Sequence, residues 1–244
     1  MSVETPEQLE GLRRAGAAVA ATLREVRRHV RPGATTAQLD AIAAATLRRH
    51  GARSAPRLVY GFPGHICISV GDVAVHGIPG PRRLRAGEIV TIDVTAERDG
   101  YFADAAVTVP VGTVAPRVRR LLSASRAALT RALATARAGT TLDALGRAVQ
   151  AEVEGRGFTV LAELGGHGIG RTIHEEPSVL SVPGAPGTLT DGMVIAVEPI
   201  IADGDTRCVE ERDGWTIRTA GGTLAAHSEH TIVVRDGAPL VLTA

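Results

Sequence analysis

Ala86-Gly87-Glu88-Ile89-Val90-Thr91-Ile92-Asp93 is the stretch whose reading decides the fold. A glycine opens a run of β-formers, and a carboxylate closes it six residues later. The pattern returns at Asp191-Gly192-Met193-Val194-Ile195-Ala196-Val197-Glu198. Burying a carboxylate in an apolar strand is costly unless something positive holds it. Two such strands, one in each half of the chain, imply a positive object shared between the halves. A metal site is the leading reading.

Working outward, each run is preceded by helical sequence. Thr5-Pro6-Glu7-Gln8 predicts a helix start, with Thr5 as cap, Pro6 at the first position and Gln8 completing a capping box. Leu9, Leu12, Gly16, Val19, Leu23, Val26 and Val30 then give one apolar stripe, stopped by Arg31-Pro32-Gly33. Thr35-Thr36-Ala37-Gln38 opens a second helix that ends near His50-Gly51. From residue 58 short strands and turns are expected. Gly71-Asp72 separates two apolar runs as a hairpin turn would. Pro116 reopens helical sequence, and Thr140-Thr141-Leu142-Asp143 caps the next helix. The second half repeats the first: Gly33, Thr35, Thr36, Leu39 and Gly51 align with Gly139, Thr140, Thr141, Leu145 and Gly157. Glu97-Arg98-Asp99-Gly100-Tyr101 likewise aligns with Glu211-Arg212-Asp213-Gly214-Trp215. The expected fold is α/β (α+β): one domain over 1–244, with pseudo-twofold helix–helix–strand halves of about 5–112 and 113–244 around a central antiparallel sheet.

Composition narrows the class. The chain has 244 residues, 44% of them hydrophobic and 22% charged, with a formal net charge of +1. That balance argues against nucleic acid or membrane as the main partner. All 27 basic residues are arginine and are scattered, which reads as coding bias. Cys67 and Cys208 lack CxxC spacing, so neither a disulfide framework nor a zinc knuckle is expected. No signal peptide is read at Met1–Pro6, and no apolar run reaches the roughly 20 residues that span a bilayer. A soluble cytoplasmic protein is the expectation.

Four acids carry the chemistry. An isolated Asp93 would more often be a salt-bridge partner. Asp104 lies eleven residues on, across a turn at Asp99-Gly100, so both carboxylates can face one spot on antiparallel neighbours. Glu198 precedes Pro199, which marks a ladder end. Glu229 begins the β-branched run 229–234. His167, in Gly165-Gly166-His167-Gly168-Ile169-Gly170, is presented on backbone that other groups can approach closely. His76 and His174 are further candidates, with ordinary loop polarity as the alternative. His174-Glu175-Glu176-Pro177 begins like HExxH but lacks the second histidine, and Pro177 would break the helix. No GxGxxG, P-loop or GxSxG occurs. An oxygen-rich set with one imidazole suits two divalent ions with bridging carboxylates better than a structural zinc site. Such a pair would acidify a bridging water to hydroxide and polarise a carbonyl, so hydrolysis of an amide or ester follows. Glu198 could relay the proton, and nearby histidines could stabilise the tetrahedral intermediate.

The runs His76-Gly77-Ile78-Pro79, Ile92-Asp93-Val94, Gly100-Tyr101-Phe102-Ala103-Asp104, Gly166-His167-Gly168-Ile169-Gly170, His174-Glu175-Glu176-Pro177, Ala196-Val197-Glu198-Pro199 and Glu229-His230-Thr231 resemble type I methionine aminopeptidases. The resemblance spans Glu7 to about Leu242. It implies the pita-bread fold and removal of an N-terminal methionine before a small second residue, from peptides or nascent proteins. It also implies two divalent ions (cobalt, manganese, iron or zinc) held by Asp93, Asp104, His167, Glu198 and Glu229. Asp93 would be bidentate to one ion, Asp104 and Glu229 would bridge, and His167 and Glu198 would complete the other. His76 and His174 match histidines that contact the scissile amide region. Phe62, Cys67 and Trp215 match the methionine side-chain pocket. A monomer is expected, with the ribosome as a candidate partner though without a zinc-finger docking extension. Departures fall at the pocket: Tyr60-Gly61-Phe62-Pro63 lacks the family's histidine, Gly64-His65 replaces Lys-Ser, Gly71-Asp72 replaces Asn-Glu, and Ile173 stands where an aromatic is common. An Xaa-Pro aminopeptidase of the same fold is the alternative; those relatives carry a large N-terminal domain for which this chain has no room. A non-catalytic binding module is disfavoured, because such proteins lose ligands.

Overall fold

Helix α1 (Pro6–Arg28) starts at the capping box read from the sequence. Gln8 N donates to Thr5 Oγ1 at 3.3 Å and Thr5 N to Gln8 Oε1 at 3.2 Å, which satisfies two orphan donors reciprocally. Helix α2 (Thr36–Arg49) repeats the device through Thr35 and Gln38. The computed structural model describes residues 1–204 and 207–244. Strand β1 (Arg53–Ser54), helix α3 (Ala55–Tyr60) and strands β2 (Cys67–Val70), β3 (Val73–Val75), β4 (Ile89–Arg98) and β5 (Tyr101–Pro110) complete the first half. The second half opens with α4 (Pro116–Thr135) and α5 (Leu142–Glu154), followed by β6 (Thr159–Val160), β7 (Gly165–Gly168), β8 (Glu175–Leu180), β9 (Val194–Val197) and β10 (Ile200–Ala202). Strands β11 (Cys208–Glu210), β12 (Ile217–Thr219), β13 (Ala225–His227), β14 (His230–Val233) and β15 (Leu240–Val241) end it.

Among the described residues all the ladders are antiparallel. One main sheet runs β1-β4-β2 with β5 on the other side of β4; the other runs β15-β14-β9-β7-β8. They meet at a seam. Val107 bridges Ser228, Glu229 N donates to Ala106 O at 2.9 Å, and the Thr231 hydroxyl bonds both Asp104 N and Asp104 O at 2.8 Å. Leu12, Val19 and Val26 of α1 pack in a core with Ile92 and Val94 of β4, while Leu121, Leu145 and Val149 pack in a second core with Ile195 and Ile232.

The same backbone bonds recur in both halves. Gly33 N donates to Leu84 O (2.8 Å) and Gly139 N to Leu189 O (2.9 Å). Gly87 N donates to Val111 O and Gly192 N to Val234 O, both at 2.9 Å. The equivalent helix caps are Thr35 and Thr141, each two residues after its glycine. The alignment of Thr35-Thr36 with Thr140-Thr141 is therefore out by one.

Three further local expectations change. The strand does not stop at Asp93: it continues to Arg98, placing the acid in its middle, because β5 pairs along its whole length. Residues 55–60 form α3, where short strands and turns were expected from residue 58, with Ser54 Oγ accepting from Arg57 N at 3.3 Å and Gly61 closing it at φ 71°. Strands β2 and β3 are not a hairpin ladder; β2 pairs β4, and β3 pairs β12 from the other half. Asp72 is held there, its carboxylate accepting from Arg218 Nε (3.1 Å) and its carbonyl from Thr219 N (3.0 Å). Long-range pairing outweighs the local turn signal. No helix among the described residues is long and apolar enough to cross a membrane.

Gly146 on α5 gives a stability test. Alanine in a helix interior is intrinsically favoured over glycine by about 1 kcal/mol. Here its Cβ would lie 2.1 Å from Val182 O and 2.5 Å from Val182 C, backbone that cannot rotate away. Overpacking wins, and Gly146→Ala is expected to destabilise by about 1–3 kcal/mol in urea unfolding.

Candidate metal centre

The seam assembles the site. On β4, Asp93 lies opposite Ala106 of β5 and Cys67 of β2; on β5, Asp104 lies opposite Thr95. Asp93 and Asp104 are thus diagonal neighbours on one face, an arrangement produced by the tight turn at Asp99 (φ 54°) and Gly100 (φ 78°). Glu198 follows β9 where Pro199 ends the ladder, and Glu229 sits between β13 and β14. One oxygen each from Asp93, Asp104 and Glu229 lie within 4.8 Å of one another. The same holds for single ligand atoms of Glu198, His227 and Glu229, so Glu229 belongs to both groups.

His167 extends from β7 with glycine on either side. A Cβ at Gly166 would lie 2.1 Å from Ala196 O, and one at Gly168 2.1 Å from Glu176 O, so neither position has room for a side chain. The ring donates from Nδ1 to Gly168 O at 2.8 Å. That leaves Nε2, with its lone pair, facing Glu198 Oε1 at 3.5 Å. Two electron-rich atoms so placed call for a cation between them.

The electrostatics point the same way. Burial, with Asp104 and Glu198 adding repulsion, holds Asp93 well above the usual carboxylate range. Glu229 is raised for the same reasons, burial first and then Asp104, Glu198 and Asp93. Glu198 is pushed up to about 8, mainly by burial, with His167 opposing and Asp104 reinforcing the shift. Burial also lowers His227 to about 4, against the pull of Asp104. Among the described residues, Asp104 Oδ1, Glu229 Oε1 and both His227 nitrogens are buried without hydrogen-bond partners. Buried acids that resist ionising and ring nitrogens without partners form a donor set that a divalent cation would satisfy. The residues fit the group.

All ten residues singled out in the sequence line one cavity of about 820 Å³. Phe62 and Trp215 meet edge to face, centroids 5.2 Å apart, beside Cys67. Burial and then Asp93 raise the Cys67 thiol well above its usual range, so it is a neutral wall and not a nucleophile. Ile173, a departure from the family pattern, lines the cavity as well. His76 adopts φ 56° as the chain leaves β3, a left-handed conformation uncommon for a side-chain-bearing residue. Its pKa is lowered by enclosure in the cavity and by His227. His174 is lowered to about 4 by burial, then by His167 and His76.

Two residues escaped the sequence reading. Tyr60 stacks on His174 and its hydroxyl lies 2.7 Å from His174 Nδ1. No local signal could show a contact spanning 114 residues. His227 is 2% exposed and sits with Glu198 and Glu229. Its signal was present: His227-Ser228-Glu229 has the two-residue spacing that puts side chains on one face of an extended chain.

Comparison with known proteins agrees with this geometry. The family model for metallopeptidase family M24 matches residues 10–236. Methionine aminopeptidase 2 of Bacillus subtilis is 40% identical over 247 aligned positions, covering 100% of this chain and 99% of that protein. Methionine aminopeptidase 1 of Mycobacterium tuberculosis is also 40% identical, covering 97% and 92%. The crystal structure of a Thermotoga maritima methionine aminopeptidase superposes with a TM-score of 0.96 at 35% identity, covering 100% of this chain and 99% of that one. Prolidase from Pyrococcus furiosus, at 20% identity and TM-score 0.81, shares the pita-bread fold; this chain covers 65% of it. With its two sheets meeting at a buried cluster of acids and histidines, and with a match along nearly its whole length, the chain belongs to metallopeptidase family M24.

Proposed function

We propose that this chain removes the N-terminal methionine from peptides and nascent proteins with a small second residue, using a pair of divalent ions. The observation that carries the reading is the sharing of Glu229 between two ligand groups at the seam. Asp93, Asp104 and Glu229 would hold one ion; Glu198 and His167, with Glu229 and Asp104 shared, would hold the other. When bound, such ions acidify a water and polarise the scissile carbonyl.

The chain supplies the rest. With ions bound beside it Glu198 would be ionised, and so suited to take a proton from the attacking water and pass it to the departing amine. His174 stays neutral at working pH. With Tyr60 donating to Nδ1, its Nε2–H is left free to donate to the carbonyl oxygen as charge develops there. His76 faces the same cavity and positions the amide. Phe62, Cys67 and Trp215 offer the apolar, polarisable wall that a thioether side chain favours.

Tyr60→Phe removes one hydrogen bond to His174, worth about 0.5–1.5 kcal/mol, so kcat is expected to fall roughly two- to thirteenfold. Metal content should be unchanged, as elemental analysis would show. The reading as a whole is tested on chelated enzyme supplied with Mn²⁺, Co²⁺, Fe²⁺ or Zn²⁺. Free methionine is expected from Met-Ala-Ser and none of the ions should promote cleavage of Ala-Pro peptides. Failure to release methionine with any ion would overturn it, and preference for Ala-Pro would favour the Xaa-Pro reading.

A further inference from the structure

His227 is only 2% exposed, yet neither of its ring nitrogens has a hydrogen-bond partner. A buried donor or acceptor left unsatisfied costs about 1–3 kcal/mol, so such a ring calls for an explanation. Loose placement does not provide one. The Thr108 hydroxyl accepts from His227 N at 2.7 Å and donates to His227 O at 2.9 Å, and Thr91 Oγ1 lies 2.7 Å from that hydroxyl. The backbone is fixed from both sides while the ring points into the acid cluster.

There, Nε2 lies 3.3 Å from Glu198 Oε2 and 3.6 Å from Glu229 Oε2. Both separations exceed the usual 2.7–3.2 Å of an N–H···O bond. They match another geometry. Donor atoms each about 2.0–2.2 Å from one ion lie roughly 3.0–3.6 Å from one another. The second oxygen of Glu198 faces His167 Nε2 at 3.5 Å, which is the same spacing again. Glu198 therefore stands between two imidazoles, one at each carboxylate oxygen.

We propose that His227 Nε2 is a ligand to the ion held by Glu198 and Glu229, so that this ion has two imidazoles, from His167 and His227. The proposal rests on the metal-centre reading above and extends its ligand set, which contains one histidine. The centre becomes asymmetric. One ion has two nitrogens, and the other has the all-carboxylate set Asp93, Asp104 and Glu229. Imidazole favours zinc, cobalt and iron, whereas carboxylate suits manganese and magnesium, so the two positions should fill in sequence with cobalt.

The test uses chelated full-length protein titrated with Co²⁺, followed by calorimetry and X-ray absorption fine structure. At one equivalent, the wild-type cobalt spectrum is expected to require two imidazoles, and that of His227→Gln one. The first binding event in the variant should weaken by at least about tenfold, the lower end of what changing a ligand's surroundings costs. One imidazole in the wild type overturns the proposal whether or not the variant folds. Unchanged affinity and imidazole number in a folded variant overturn it as well. No cobalt uptake by the wild type would overturn the metal-centre reading itself, and the proposal with it.

Discussion

Replacing Glu229 with glutamine is expected to lower kcat/KM for methionine release by at least roughly a thousandfold, about 4 kcal/mol of barrier, and to cost the enzyme bound metal. Glutamine keeps the size and shape of the side chain, so the seam should survive: Glu229 N still reaches Ala106 O at 2.9 Å. What changes is charge at a position common to both ligand groups. A neutral amide cannot bridge two cations as a carboxylate does, and the flanking acids lose the ion that offsets their repulsion. Elemental analysis beside steady-state kinetics would check both halves of the expectation. A variant that retained two ions and full activity would show that Glu229 is not shared. The contrast with Tyr60→Phe is informative, since that change touches only the orientation of His174.

The second large effect is on stability. Stripped of metal, the protein is expected to lose stability as pH rises from about 6.5 to about 8, while the metal-loaded protein does not. Asp93, Glu198 and Glu229 have raised pKa values in the fold. An acid of that kind ionises more readily when unfolded, so its contribution to stability is fully present below its ordinary value and is lost through its folded value. For Glu198 that interval runs from 4.5 to about 8. His174 and His227, held at about 4, act in the opposite sense, because stability is lost as pH falls from 6.5 toward 4. Above 6.5 both are mostly neutral whether folded or unfolded, so the acids dominate the slope. A divalent ion reverses their preference and flattens the curve. Melting temperatures with chelator and with added Co²⁺ across this interval would show the divergence; parallel curves would contradict it.

Much of this was legible in the sequence where the physics is local. The capping box at Thr5, the helix start at Thr35, the Asp99-Gly100 turn and the placing of Asp93 and Asp104 on one face follow from spacing, since a tight turn sets the register of the strands it joins. The repeat of Gly87…Asp93 as Gly192…Glu198 reappears as equivalent hydrogen bonds to Val111 and Val234. Distant pairing was not legible. Nothing near Val73 shows that β3 lies against β12, because the anchor, Arg218 on Asp72, comes from 146 residues away. Tyr60 looked like the remnant of an altered motif, and only the fold brings its hydroxyl to His174. His227 lies just outside the Glu229-His230-Thr231 motif, although in an extended segment it shares the face of Glu229 two residues on.

The most direct test of the seam as a two-ion centre is anomalous diffraction from crystals loaded with Mn²⁺ or Co²⁺. Two peaks about 3.5–4 Å apart are expected, with the Glu229 carboxylate touching both, Asp93 on one side and His167 with Glu198 on the other. A single peak, or two peaks with Glu229 bound to only one, would contradict the account.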